Sequence, residues 1–271
     1  MDLIQALVLG IIQGLTEFLP ISSTAHLRVV PALLEWEDPG AAFTAVIQLG
    51  TLLAVLIYFW KDLSRTLIAW LQSFSGKASK DSRLGWAIFI GTIPIVVAGY
   101  LYKDQIKGES VRSLTVIAWM LIGMGMLLFF ADRLASHRKT VEQAGVLDGL
   151  WVGLWQAIAL IPGASRSGST ITGAFFAGFD RAAAAKFAFL LSVPSVLAAG
   201  ILELVEERKK ILDENLANVL VATAAAFVVG YWSIGFLIRF LSKHSALAFV
   251  IYRVALGVLL LVLLQSGYLK Q

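Results

Sequence analysis

The sequence predicts an all-α polytopic membrane protein: six transmembrane helices plus two re-entrant helical hairpins, arranged as inverted-topology repeats. Three observations carry this prediction. Of 271 residues, 58% are hydrophobic and only 15% charged, and the mean hydropathy is +0.80, well outside the composition of a soluble domain. Six apolar runs approach the roughly 20 residues a helix needs to cross a bilayer. Two further apolar stretches are broken near their centres by proline and small polar residues, and the two halves of the chain resemble each other around those breaks.

Taken in order, residues 2 to 34 form the first broken stretch, with Pro20, Ser22, Ser23 and Thr24 between two short apolar pieces. Runs at 41 to 60, 84 to 102 and 113 to 131 follow as spans; residues 147 to 179 form the second broken stretch, with Pro162 and a Ser-rich loop, before spans at 183 to 203, 217 to 239 and 246 to 265. Non-helical backbone at membrane depth is tolerated only where protein or a water-filled cavity surrounds it, so each broken stretch reads as a hairpin dipping into the bundle toward the other. Gln13 and Pro20 match Gln156 and Pro162 with a one-residue slip, and the interval from His26 to Phe43 equals that from Thr170 to Phe187. One membrane domain, 1 to 271, is expected, with repeats at about 1 to 135 and about 145 to 271. Three crossings per repeat place the second copy on the opposite face.

Charge gives orientation and excludes other classes. The loop at 61 to 83 carries Lys61, Arg65, Lys77, Lys80 and Arg83, whereas Glu35, Trp36, Glu37 and Asp38 carry no positive charge, which puts the first loop in the cytoplasm and both termini outside. Lys103, Lys107, Arg112 and the Arg208-Lys209-Lys210 cluster moderate that bias. The net charge of +4 lies mainly between apolar runs, as topology and lipid headgroups require, and no nucleic-acid partner is expected. The absence of cysteine removes disulfides and thiolate chemistry. With Asp2 at its start and Gln13 and Glu17 inside its apolar run, the N-terminal stretch does not read as a cleavable signal peptide. Trp60, Trp86, Tyr100 and Tyr102 read as interfacial anchors, and His137 and His244 as solvated loop residues.

The two breaks concentrate the chemistry, because carboxylate, imidazole and guanidinium groups at hydrocarbon depth are costly unless they face one another, water or a ligand. Gln13 and Glu17, four apart, share a helix face, and an amide and a carboxylate there suit a hard cation, Mg²⁺ or Ca²⁺. The alternative is a carboxylate that only hydrogen-bonds between helices. Ser22 and Ser23 are placed to cap a new helix carrying His26 in its first turn, with Ser22 serving either as a cap alone or as a substrate contact. Ser23 and His26, three apart, fall on one side of that helix, as a nucleophile and its base require; a buried structural histidine is the competing account. In the second loop Arg166 offers planar donors for phosphate oxygens, and Ser165, Ser167, Ser169 and Thr170 add neutral ones. A salt bridge from Arg166 to Glu17 is the rival to phosphate. Gln48, on the following span, is a further candidate substrate contact.

At these residues the chain strongly resembles the undecaprenyl-pyrophosphate phosphatase family, the bacitracin-resistance type of bacterial cell membranes, over nearly its whole length. The markers are Gln13 to Glu17 in a Gln/Glu-x-x-x-Glu pattern, the run Phe18-Leu19-Pro20-Ile21-Ser22-Ser23-Thr24-Ala25-His26, and Pro162-Gly163-Ala164-Ser165-Arg166-Ser167-Gly168-Ser169-Thr170. Many members carry glutamate where this chain has Gln13.

The resemblance implies hydrolysis of the polyprenyl diphosphate carrier to its monophosphate and inorganic phosphate, dependent on a divalent cation. It also implies a site open to the outer face of the cell membrane and recycling of the carrier for peptidoglycan synthesis. In that frame Ser23 is the nucleophile, His26 the general base and acid, Glu17 the metal ligand, and Arg166 the clamp on phosphoryl charge. A metal-activated water attacking directly, with Ser23 only binding phosphate, would use the same residues. The partners expected are the lipid substrate, membrane lipids and, at most, further copies of the chain. The rival class is a carrier or flippase of lipid phosphates, since inverted repeats and facing hairpins are more typical of carriers than of enzymes; a carrier, however, needs no serine and histidine at nucleophile–base spacing.

Overall fold

The structure is a computed structural model that describes residues 1–38, 40–108, 111–206 and 215–269. Every long element is a helix. In chain order these are α1 (Leu3–Phe18), α2 (Ser23–Leu33), α3 (Gly40–Tyr58), α4 (Trp60–Ser73), α5 (Lys80–Leu101), α6 (Lys103–Lys107), α7 (Leu114–Leu134), α8 (Val146–Ile158), α9 (Arg166–Phe176), α10 (Arg181–Glu206), α11 (Leu216–Leu241) and α12 (Leu247–Gln265). The Arg208-Lys209-Lys210 cluster lies outside the described residues.

Five of these helices, α5, α7, α10, α11 and α12, are long and apolar enough to cross a membrane, and the chain is a multi-pass membrane protein. The sixth expected span differs from its prediction. Instead of continuing through residue 60, α3 ends at Tyr58 and the chain bends by 77° into α4. The reason lies in α4, which carries Lys61, Asp62 and Arg65 and lays its one apolar face on α5. Trp70 sits over Gly85, where a Cβ would come within 2.6 Å of the Trp70 Cβ and 3.1 Å of its indole, and stacks on Phe89 at 5.4 Å. Trp86 belongs to this aromatic group and donates its indole N–H to Ser73 Oγ at 3.1 Å, whereas Trp60, Tyr100 and Tyr102 are exposed as anchors should be.

Two close helix pairs set the frame. α1 runs along α11, and α8 runs along α5. Each contact depends on glycines one turn apart that let backbones touch. A Cβ on Gly10 would lie 2.3 Å from Ala222 O and one on Gly14 2.8 Å from Gly230 N; on Gly149 and Gly153 it would lie 2.0 Å from Ala87 O and 2.2 Å from Gly91 O. α3 also packs on α11 and α10 on α5, while α3 meets α10 and α7 meets α12. Ion pairs close the end of the bundle where α4, α8 and α10 begin: Lys186 with Asp62 at 2.8 Å, Arg181 with Asp132 at 2.6 Å and Lys139 with Asp148 at 2.6 Å. His137 is not solvated as expected. Its ring nitrogens meet Phe179 O at 3.2 Å and Asp132 O at 2.8 Å, because the loop after α7 folds back over the loop after α9; His244 is exposed.

Candidate active site

Both broken stretches are helix, turn, helix, and the two turns are built alike. After Phe18 the chain extends through Leu19, and Ser22 takes φ 75°, a left-handed value uncommon away from glycine. In that conformation its Oγ accepts the amide of Ala25 at 3.3 Å and caps α2. Ser165 repeats the device at φ 70°, its Oγ accepting the amide of Gly168 at 3.1 Å to cap α9. Ser22 and Ser165 are therefore N-caps, each buried.

The two tips meet. Ser167 Oγ donates to Leu19 O at 3.0 Å across the gap. Arg253 of α12, fully buried, then ties the tips together: it donates to Pro20 O at 3.1 Å on one side and to Gly163 O at 3.1 Å and Ala164 O at 2.9 Å on the other, and also to Leu121 O and Met120 O of α7. Gly168 leaves room for it, since a Cβ there would come within 2.5 Å of the guanidinium. Sequence reading passed over Arg253, although an arginine inside an apolar run is a strong signal.

Glu17 is the hub. One carboxylate oxygen accepts from Gln13 Nε2 at 3.0 Å and from Ser23 Oγ at 2.7 Å. The other accepts from Arg166 Nη2 in an ion pair and from Gln48 Nε2 at 3.5 Å. The Arg166–Glu17 salt bridge considered as the rival to phosphate thus forms in the ligand-free chain, bringing groups from α1, α2, α3 and α9 onto one carboxylate. Beside it lies a small pocket lined by Glu17, Arg166, Ser167, Thr170 and Ser192, with Phe189 set edge-on against Phe18 as its apolar wall. Ser192 reaches this pocket from α10, although nothing in the order of residues brings α10 to the first tip. The Thr170 hydroxyl donates to Arg166 O at 2.7 Å, and the Ser165 and Ser167 hydroxyls lie 3.2 Å apart.

His26 departs from its expected pairing. Its Nδ1 lies 2.7 Å from Ser22 O and its Nε2 2.7 Å from the hydroxyl of Tyr252, so the serine it was expected to activate bonds Glu17 instead. A three-residue spacing fixes which side of a helix two side chains leave from, but the side-chain torsions decide where their polar atoms end. Here the imidazole folds back onto its own first turn.

The donor set around Glu17 is suited to a hard cation. All candidate ligands are oxygens, and Gln13 Oε1 is buried without a hydrogen-bond partner while its Nε2 is spent on Glu17. Among the described residues no cluster of three or more His, Cys, Asp or Glu forms, so the chain would supply only part of a coordination shell, as Mg²⁺ sites completed by phosphate and water commonly do.

A family model described as bacitracin resistance protein BacA matches residues 6–259. The chain belongs to this family. Its relatives include proteins named undecaprenyl-diphosphatase from Chlorobium phaeovibrioides, 52% identical, and from Chlorobaculum tepidum, 50% identical, each alignment covering 99% of both chains. Another so named, from Chloroherpeton thalassium, is 50% identical over 100% of this chain and 99% of its own. Membership of the BacA family agrees with the resemblance carried by the two loops, which are the segments that meet at Glu17.

Proposed function

We propose that this membrane protein hydrolyses undecaprenyl diphosphate to undecaprenyl phosphate and inorganic phosphate, recycling the lipid carrier for peptidoglycan synthesis and so conferring bacitracin resistance. The observation that carries the mechanism is the sharing of one carboxylate, Glu17, by the Ser23 hydroxyl and the Arg166 guanidinium. Ser23 is the nucleophile. Its Oγ attacks the terminal phosphorus, its proton passes to Glu17 Oε2, and the bond from that phosphorus to the bridging oxygen breaks as the lipid monophosphate leaves. Water then cleaves the phosphoserine, its proton passing to His26, and inorganic phosphate departs as Glu17 returns the stored proton to the serine oxygen.

Arg166 exchanges Glu17 for the phosphoryl oxygens as charge develops on them. Glu17 and Gln13 would hold a divalent cation, Mg²⁺ or Ca²⁺, which supplies neutralising charge for the diphosphate when bound. Gln48, Ser167 and Thr170 surround the phosphate, and Ser22 and Ser165 act through the caps that fix the tips.

In the bacterial cell membrane the fold reads as six spans with the hairpins α1–α2 and α8–α9 re-entrant and related by inverted repetition. The exchanged pairings, α1 on α11 and α8 on α5, support that symmetry. With the basic segment from Lys61 to Arg83 on the cytoplasmic side, the start of α1 lies toward the outer face, and the family resemblance implies that the site opens there too. A carrier of lipid phosphates has no use for a serine hydroxyl held on a carboxylate, which favours the enzyme.

The test is phosphate release from undecaprenyl diphosphate by detergent-purified protein with Mg²⁺, with Ca²⁺ or with chelator, alongside Glu17→Ala. Metal-dependent release lost in the variant is expected. Tight binding of substrate with no release under any metal condition would replace the enzyme with a carrier.

A further inference from the structure

The imidazole of His26 is held from both sides. Its Nδ1 faces the carbonyl of Ser22 at 2.7 Å, and a carbonyl only accepts, so Nδ1 carries the hydrogen and Nε2 is the basic nitrogen. Opposite Nε2, at 2.7 Å, stands the hydroxyl of Tyr252, whose ring lies nearly parallel to the imidazole, 7° apart with centroids separated by 5.6 Å. Tyrosines near span ends ordinarily present the hydroxyl to the interface. This one turns it inward, onto the single buried histidine nitrogen that can take a proton.

We propose that Tyr252 is the catalytic partner of His26: its hydroxyl, bonded to the one lone pair that the imidazole has free, passes its proton to Nε2 as its oxygen takes a proton from the attacking water, and so stays neutral. A phenol hydroxyl both donates and accepts, so the contact survives a change in protonation. It donates to neutral Nε2 and accepts from Nε2–H once the imidazole has taken a proton, supporting both states that a base passes through. The placement is rigid because the next residue along α12, Arg253, is the one that ties the two tips together through Pro20 O, Gly163 O and Ala164 O. α12 thus carries, side by side, the clamp on both loops and the support of the base. The assignment rests on the phosphatase reading of the site.

Tyr252→Phe keeps the ring and its stack and deletes only the hydroxyl. With undecaprenyl diphosphate as substrate, kcat should fall at least about 10-fold, since the proton loses its path to Nε2, with KM held within about two-fold. Thermal unfolding in detergent should be unchanged. In a His26→Ala background the same substitution should have no further effect on kcat, whereas a tyrosine that merely packs α12 would lower it by the same factor in both backgrounds. Wild-type kcat in Tyr252→Phe, or full additivity with His26→Ala, overturns the assignment and leaves the phosphatase reading intact. Absence of phosphate release from the wild-type protein with either cation overturns that reading, and the assignment with it.

Discussion

At the first tip Ser22 sits at φ 75° and caps an 11-residue helix; at the second, Ser165 sits at φ 70° and caps another of equal length. Behind each cap a glycine-lined helix carries a buried glutamine, Gln13 on α1 and Gln156 on α8. The chemistry then diverges. Gln13 leaves its carbonyl oxygen unpartnered beside a carboxylate, whereas Gln156 accepts from Ser195 at 3.0 Å and leaves its amide nitrogen unpartnered. The first tip offers a carboxylate, a serine hydroxyl and an imidazole; the second offers a guanidinium and hydroxyls. On the proposed function, one backbone device used twice is specialised into a half that handles protons and cations and a half that handles anions. The site exists only where the halves meet.

That division can be broken at several points. Ser23→Ala should lower phosphate release the most, on the order of 10³-fold or more, because it removes the attacking atom; quenched turnover of the wild type should contain phosphoserine at that position, and its absence from a fully active enzyme would transfer the attack to water. Arg166→Ala should cost about 10²-fold in kcat by removing charge stabilisation from the second half, and a folded, nearly active variant would remove that role. The symmetry of the frame can be tested through stability instead. Gly14→Val and Gly153→Val should each destabilise the protein by about 1–3 kcal/mol, since each forces a methyl group into a facing backbone, and thermal unfolding in detergent would reveal whether the two interfaces bear comparable weight. The smallest effect separates the glutamines: Gln13→Ala should raise the cation concentration needed for half-maximal activity roughly 10-fold, and Gln156→Ala should leave it unchanged. Equal shifts in both would erase the distinction between the halves.

Much of this is legible in the sequence. Proline and clustered hydroxyls inside apolar runs marked both broken stretches, because such residues have no cheap place in lipid, and Ser22 caps α2 as its position allowed; Ser165, read as a donor to phosphate, caps α9 instead. Burial demanded an anionic partner for Arg166, and the Glu17 salt bridge weighed as the rival to phosphate is the one that forms. What escaped depends on packing across distant segments. The turn at Phe59 was hidden because Trp60 extends the apolar run while belonging to a helix that docks on Gly85. Tyr252 looked like any tyrosine near a span end, and its inward hydroxyl becomes visible only once α12 is set against α2. Ser23 and His26 shared a helix side as expected, yet their polar atoms parted because Glu17, six residues earlier, claims the hydroxyl.

The most direct test of two specialised halves is equilibrium binding of undecaprenyl diphosphate to detergent-purified Ser23→Ala and Arg166→Ala, measured beside single-turnover phosphate release with Mg²⁺. Ser23→Ala should bind like the wild type and release nothing, and Arg166→Ala should bind at least about 10-fold more weakly. If Ser23→Ala loses binding while Arg166→Ala retains it, the assignment of anion capture to the second loop and attack to the first is contradicted.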